Sequence, residues 1–484
     1  MSGFQNLDAE YHTPDLFIGG VWRKGRAATA SNVINPATDE ILGQVSHASA
    51  ADLDAALAAV DAGFTTWRQV PAATRQQILS RGVALMRDRS EDIARCLTLE
   101  QGKPLVQARA EVEVAAAMVQ WYAEQSGRIY GRIIPAPTQG TDYEVRKEPI
   151  GPCLLLSPWN VPVILAARKI GGALASGCSC IVKPPEETPG AVAKMIQCFA
   201  DGGVPPGVIN LVLGVPRTVS EHLIASDVIR KISFTGSVPV GKELARLASA
   251  GLKRVTLELG GHSPVIVYDD VDVESCVAQL VQAKFRNAGQ LCHAPTRFFV
   301  HRHIYPDFVA RFADAAQQLR QGNGLEDGTQ IGPLANVRRQ AAMEQLVHST
   351  AKKATLVTGG TRGLNHGCFF LPTVFADVAL DAPAMLQEPF GPIALIRSFD
   401  TPSEALANAN ATRFGLGAYV FTDSARLQQQ MIAGLRAGSV AINSTVASVA
   451  QAPFGGVFDS GYGYESGEEG IESYVHTKFV HRTY

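Results

Sequence analysis

The sequence predicts an α/β protein: a doubly wound parallel sheet, a second α/β unit after it, and a small β element. Two observations lead there. From Pro152 to Gly261 short β-rich runs alternate with helical stretches, and glycines or prolines punctuate many of the joins. Strands alternating with helices are the pattern of βαβ units on a parallel sheet. The chain is also 484 residues long, too long for one ordinary core, so two or three domains are expected.

In the first unit the strand candidates are Cys153–Leu156, Ser179–Val182, Val208–Leu213, Ile229–Phe234 and Arg254–Leu257. Val163–Ser176, Gly190–Ala200, Thr218–Ala225 and Val240–Ala250 lie between them and are each long enough for a helix. A sheet of this kind binds ligands at the carboxyl ends of its strands. The helical region from Ala51 to Gln125 packs around it. The second unit alternates again through Pro264–Tyr268, Val273–Arg286, Arg297–Val300, Ile304–Arg320, Ile393–Phe399 and Gly417–Phe421. Two β-rich outliers remain, Ile129–Pro135 with Asp142–Lys147, and Tyr474–His481. Taken alone they read as an ordinary hairpin and a frayed tail.

Bulk properties exclude several classes. A formal charge of -2 with 18% charged residues creates no global field for nucleic acid or an anionic membrane. The run Val161–Ala167 is ended by Arg168-Lys169, far short of a membrane span. Met1 to Glu10 lacks the basic start and apolar stretch of a signal peptide, so none is expected. Eight scattered cysteines show no small-scaffold disulfide pattern, and a reducing cytoplasm fits them. His301-Arg302-His303 puts two imidazoles on one face if extended. No acidic or thiol cluster accompanies them in sequence, so no metal is expected.

The chemistry concentrates in two segments. Phe285-Arg286-Asn287-Ala288-Gly289-Gln290-Leu291-Cys292 places a cysteine after a Gly-Gln turn, and Leu257-Glu258-Leu259-Gly260-Gly261 holds an acid beside two glycines. Free cysteine is ordinarily buried, inert packing, as Pro152-Cys153-Leu154-Leu155 suggests for Cys153. Cys292 differs in its flanks, Gly289, Gln290, His293 and Pro295. A nucleophile with its own N–H as oxyanion donor, and a carboxylate to activate water, are the parts of a two-step acyl transfer. Both segments resemble the cysteine and glutamate signatures of NAD(P)-dependent aldehyde dehydrogenases, and the resemblance runs along nearly the whole chain.

That resemblance implies an NAD-binding domain from residues 1–128 and 149–260, a catalytic domain from 261–465, and an oligomerisation element from 129–148 and 466–484. The protein is then a homodimer or homotetramer acting on a small-molecule aldehyde. No Gly-x-Gly-x-x-Gly fingerprint is present, and Gly322-Asn323-Gly324 and Gly461-Tyr462-Gly463 read as loops. The cofactor turn is instead Phe234-Thr235-Gly236-Ser237, whose N–H groups and Ser237 hydroxyl can meet a pyrophosphate. Lys183 and Glu186 are expected at the adenosine ribose. A glutamate there accepts from ribose hydroxyls and repels a 2′-phosphate, which favours NAD over NADP. Glu388 and Phe390 resemble the contacts to the nicotinamide ribose, and Ser157, Trp159 and Leu259 complete the expected cofactor set.

In the implied reaction Cys292 attacks the aldehyde, Asn160 donates to the oxyanion, hydride leaves for the nicotinamide, and Glu258 activates water to release the acid. Asn160 alone reads equally well as a helix cap. Arg168 and Arg286 resemble the arginines that clamp the substrate carboxylate in succinate-semialdehyde dehydrogenases, with Ser448 as a third contact. The other reading pairs each arginine with a protein carboxylate. Leu291 and Ala294 depart from that subgroup, which often has Thr before the cysteine and a second cysteine two residues after it. Gln290 to Arg297 is more similar to 2-oxoglutarate-semialdehyde dehydrogenases. Aromatic or aliphatic aldehydes remain alternatives. So does an NAD-independent cysteine hydrolase, although His293 is expected to point away from the thiol.

Overall fold

The computed structural model describes residues 11–484; the expectation about Met1 to Glu10 lies outside them. The first sheet has eight strands. Its parallel centre runs Ile209–Leu211, Cys180–Lys183, Cys153–Leu156, Lys231–Thr235, Arg254–Glu258 in spatial order. The order reverses beside Cys153–Leu156, so the crevice of the doubly wound sheet opens at the end of that strand. Each expected strand is present, Cys153–Leu156 with the expected bounds and the other four with ends differing by no more than two residues. The crossover helices Pro162–Ala175, Pro189–Asp201, Pro216–Ala225 and Val238–Ser249 all carry proline in the first turn. There the missing N–H costs no hydrogen bond and the fixed φ suits a helix start.

Both edges of this sheet were missed in the sequence. Leu16–Ile18 adds antiparallel to Ile209–Leu211 and pairs outward with Val21–Arg23. Gly461–Tyr462, read from sequence as a loop of the second unit, pairs antiparallel with Leu257 and Glu258 of the first. A two-residue strand carries no alternation to detect, and Gly461 adopts φ 110°. Around the sheet pack Ala50–Trp67, Ala72–Asp88, Ser90–Gln101 and Leu105–Gln125. The first of these opens on a capping box between Ser49 and Asp52.

The second sheet has seven strands, ordered Thr355–Thr358, Thr373–Ala376, Ile393–Phe399, Pro295–His301, Ser263–Val267, Gly417–Phe421, Ser439–Ile442. Only its first pairing is antiparallel. Its apolar core is separate from that of the first sheet. The two β-rich outliers are neither a lone hairpin nor a frayed tail. Val475–Thr483 pairs antiparallel with Thr141–Pro149 along its whole length, and Arg132–Ile134 adds to the other side. Ile133 and Phe479 are 77% and 61% exposed, so this small sheet turns large apolar side chains outward.

Candidate active site

The cysteine segment is shaped by backbone strain. The helix Val273–Phe285 stops one residue short of its expected end because Asn287, Ala288 and Gly289 take φ of 52°, 53° and 71°. A left-handed conformation at a non-glycine residue costs roughly 1–3 kcal/mol and persists where the surroundings impose it. Here Gln107 Oε1 accepts from the Asn287 N–H at 2.9 Å, and Asn287 Nδ2 donates to the Asn160 carbonyl at 2.9 Å. At Gly289 a Cβ would lie 2.2 Å from the Gly391 carbonyl oxygen, so only glycine fits.

This turn delivers Cys292 to the crevice, where its residue surface stays partly open. The other seven cysteines are buried. Among the described residues the Cys292 N–H has no hydrogen-bond acceptor. Asn160 Nδ2 spends one hydrogen on the Gln290 carbonyl at 2.9 Å, and an amide has a second. Buried Lys103 holds the Asn160 carbonyl at 2.7 Å and ion-pairs with Glu111, which caps the N–H of Val163 at 3.0 Å. Asn160 is therefore fixed by partners the sequence did not reveal.

Glu258 ends its strand almost completely buried, with Oε1 lacking any partner. Burial raises its pKa to about 8, helped by the neighbouring Glu465 carboxyl and opposed by Arg168. Glu465 is held low: burial acts against its charge, but Lys169 and Arg168 outweigh that. Lys169 Nζ lies 2.5 Å from Glu465 Oε1 and 2.7 Å from Thr235 Oγ1, and Ser233 donates to the same carboxylate at 2.6 Å. Two adjacent cations inside an apolar helix were the available sequence signal for Lys169; nothing signalled Glu465.

The paired glycines also gain a reason. A Cβ on Gly261 would stand 2.2 Å from the Cys292 carbonyl oxygen, and one on Gly260 would stand 2.4 Å from Glu388 Oε2. Glu388 Oε1 accepts from the Gly261 N–H at 3.1 Å. Burial pushes the Glu388 carboxyl up to about 7. The Cys292 thiol is pushed to about 12 by burial, then by the Glu258 and Glu388 carboxylates.

Two sequence expectations need correction. His293 does not point away: its Nδ1 is 3.7 Å from the Cys292 sulfur. Burial, then Arg286 and Arg168, lower its pKa to about 4, which makes it a poor base for a thiol near 12. The expected clamp on a substrate carboxylate is not free at Arg168, which already faces a protein carboxylate, as the other reading had it. Its Nη1 lies 3.5 Å from Glu258 Oε2, its Nη2 donates to Ser448 Oγ at 2.8 Å, and its guanidinium covers the Phe454 ring at 4.7 Å. Arg286 is exposed and has neither an ion pair nor a side-chain hydrogen bond among the described residues.

The expected cofactor residues gather at the carboxyl ends of the first sheet. Ser157 Oγ is buried without a partner. Ser237 caps no N–H of the helix it precedes, leaving that terminus open to an anion. Gly241 lets this helix close on Leu259, where a Cβ would meet Cδ2 at 2.4 Å. Lys183 is buried yet makes no hydrogen bond or ion pair among the described residues. Glu186 lines a cavity of about 350 Å³ with Asn336 and Arg338. Trp159 and Phe390 meet edge to face at 5.5 Å, and Phe390 is held at φ 46° while Arg339 donates to its carbonyl at 3.1 Å. Orphaned polar atoms and an unfilled helix terminus fit a dinucleotide.

The pattern that defines the aldehyde dehydrogenase family matches residues 22–480. The chain belongs to that family. It is thus an oxidoreductase acting on aldehydes, in a family that uses NAD or NADP. A 4-(hydroxymethyl)benzenesulfonate dehydrogenase of Comamonas testosteroni is 52% identical over 472 residues, covering 97% of this chain and 98% of the relative. The NADP-dependent succinate-semialdehyde dehydrogenase of Escherichia coli is 37% identical over 474 residues, covering 98% of each. The crystal structure of succinate-semialdehyde dehydrogenase from Burkholderia pseudomallei superposes with a TM-score of 0.96 at 38% identity, covering 100% of both chains. No helix among the described residues is long and apolar enough to cross a membrane.

Proposed function

We propose that this enzyme oxidises aldehydes carrying an anionic group, with ω-carboxy semialdehydes such as succinate semialdehyde and 2-oxoglutarate semialdehyde as the leading candidates. One observation carries the proposal. Arg286 and Arg168 act on His293 beside Cys292, and Arg286 has no anion of its own among the described residues. Arg286 is exposed, so its guanidinium is open to an incoming anion through charge-assisted hydrogen bonds. A substrate carboxylate meeting Arg286, with Ser448 and the outer face of Arg168, supplies that partner.

In this reading Cys292 attacks the carbonyl carbon. The oxygen gains charge between the Cys292 N–H and the second hydrogen of Asn160 Nδ2, each such donor lowering the barrier by roughly 3 kcal/mol. Neutral Glu258 and Glu388 ease the ionisation of the thiol, because their charges are among what hold it high. Ser157, Trp159, Lys183, Glu186, Gly236, Ser237, Leu259, Glu388 and Phe390 would hold the nicotinamide dinucleotide, which accepts a hydride when bound. Glu258, once ionised, takes a proton from water so that hydroxide releases the acid from the Cys292 thioester. Glu186 supports NAD over NADP because it opposes a 2′-phosphate. The outward apolar face on residues 129–148 and 466–484 supports a homo-oligomer, and eight free cysteines support a reducing cytoplasm.

A second reading is an aryl aldehyde bearing a sulfonate. The 52% identical relatives are named for a sulfonated benzyl alcohol. Phe454, edge to face with His293 at 6.1 Å and covered by Arg168 at 4.7 Å, makes the surroundings of that guanidinium aromatic. A panel of succinate semialdehyde, 2-oxoglutarate semialdehyde, 4-sulfobenzaldehyde, butanal and benzaldehyde tests both. Anionic aldehydes should give the highest kcat/KM, and Arg286→Ala should lower it about tenfold or more for them alone, as expected for one lost charge-assisted contact. Preference for butanal or benzaldehyde, or equal harm to every substrate, makes the arginines structural.

A further inference from the structure

Cys292 lies just before the strand Pro295–His301, and a second cluster forms at that strand's other end. The neighbouring strand Ser263–Val267 runs parallel, with Val267 opposite Val300, so Asp269 emerges beside His301. His303 follows before the helix Tyr305–Gln317. No acidic cluster accompanies these histidines in sequence; the sheet supplies a carboxylate from 32 positions before His301.

One donor atom from each of Asp269, His301 and His303 lies within 4.8 Å of the others. Both Nδ1 atoms converge on one carboxylate oxygen, Asp269 Oδ2, at 2.8 Å from His303 and 3.2 Å from His301. The His301 contact is not along a hydrogen-bond direction, so its buried Nδ1 is left without a partner. The His301 ring is seated edge-on against Phe399 at 5.4 Å. His303 is 76% exposed and free to swing. The nearby Arg302 is already paired with Asp400 at 2.5 Å.

We propose that Asp269, His301 and His303 form a binding site for a divalent transition-metal ion such as Zn²⁺. Two imidazole nitrogens and a carboxylate oxygen suit Zn²⁺, Ni²⁺ or Cu²⁺, whereas Mg²⁺ and Ca²⁺ seek oxygen alone. Ligands at about 2.0–2.1 Å from a tetrahedral ion lie roughly 3.3 Å from one another, so His303 Nδ1, now 2.8 Å from Asp269 Oδ2, moves slightly outward to admit the ion, a movement the exposed His303 and Asp269 can make. Water completes the shell. The ion would tie the ends of two adjacent strands, about 20 Å along the strand from Cys292.

Calorimetric titration of the untagged, metal-free enzyme with ZnCl₂ tests this. One ion per chain should bind, and His303→Ala and Asp269→Asn should each weaken it by about tenfold or more. His303→Ala should keep full aldehyde oxidation, showing an intact fold. Cys292→Ala should keep the ion, separating this site from the thiol. Unchanged binding in His303→Ala, or no saturable binding in the wild type, leaves only an ion pair and overturns the site.

Discussion

Arg168 offers a direct way to move the acid–base chemistry, because it is the cation nearest Glu258. At 3.5 Å and an effective dielectric of about 20, Coulomb attraction is at most about 5 kcal/mol. The Glu465 carboxyl opposes it, and Lys169 is committed to Glu465. A contact cation typically lowers a carboxyl by roughly 1–3 pKa units. Glu258 stands at about 8 with Arg168 present, so Arg168→Met should lift it by at least about one unit. At pH 8 the ionised fraction then falls from about one half to about a tenth or less. The base works only when deprotonated, so the acidic limb of the rate profile should move to higher pH. The assay is single-turnover deacylation against pH with butanal, which carries no anion for Arg168 to bind. Arg168→Lys should restore part of the shift. An unmoved limb, with a raised KM for anionic substrates alone, refutes the coupling and leaves Arg168 as a substrate contact only.

Further tests follow from the close approaches around the nucleophile. Gly261→Ala should destabilise the protein by about 1–3 kcal/mol, the usual range for forced overpacking, because its Cβ would meet the Cys292 carbonyl oxygen at 2.2 Å. Thermal unfolding reads the loss, and activity should drop further than stability because Cys292 is displaced. Glu186→Ser should narrow the preference for NAD over NADP by removing repulsion of the 2′-phosphate, read as the ratio of kcat/KM values. Equal use of both cofactors by the wild type counts against Glu186 as the selector.

The alternation between Pro152 and Gly261 was legible because each buried parallel strand is a short apolar run and each crossover helix carries a proline in its first turn. The pair Gly461–Tyr462 was not, since its pairing with Leu257 and Glu258 joins residues some 200 positions apart and leaves no local pattern. Cys292, Glu258 and Asn160 were singled out through their turns and their resemblance to a family. What sets their chemistry came from distant chain: Lys103 and Asn287 holding Asn160, and Glu465 beside Glu258. Buried ion pairs obey no period, so neither could be read locally. Asp269 was missed beside His301 and His303 for the same reason, because parallel strands bring together residues that sequence keeps apart.

The central claim is that Cys292 carries the acyl group and Glu258 activates the water that removes it. Rapid mixing of Glu258→Gln with NAD and succinate semialdehyde, followed by acid quench and mass spectrometry, tests both halves together. The account predicts a burst of about one NADH per site, then stalling, with the acyl mass trapped on the peptide containing Cys292. Steady turnover at the wild-type rate with no burst and no adduct would contradict it.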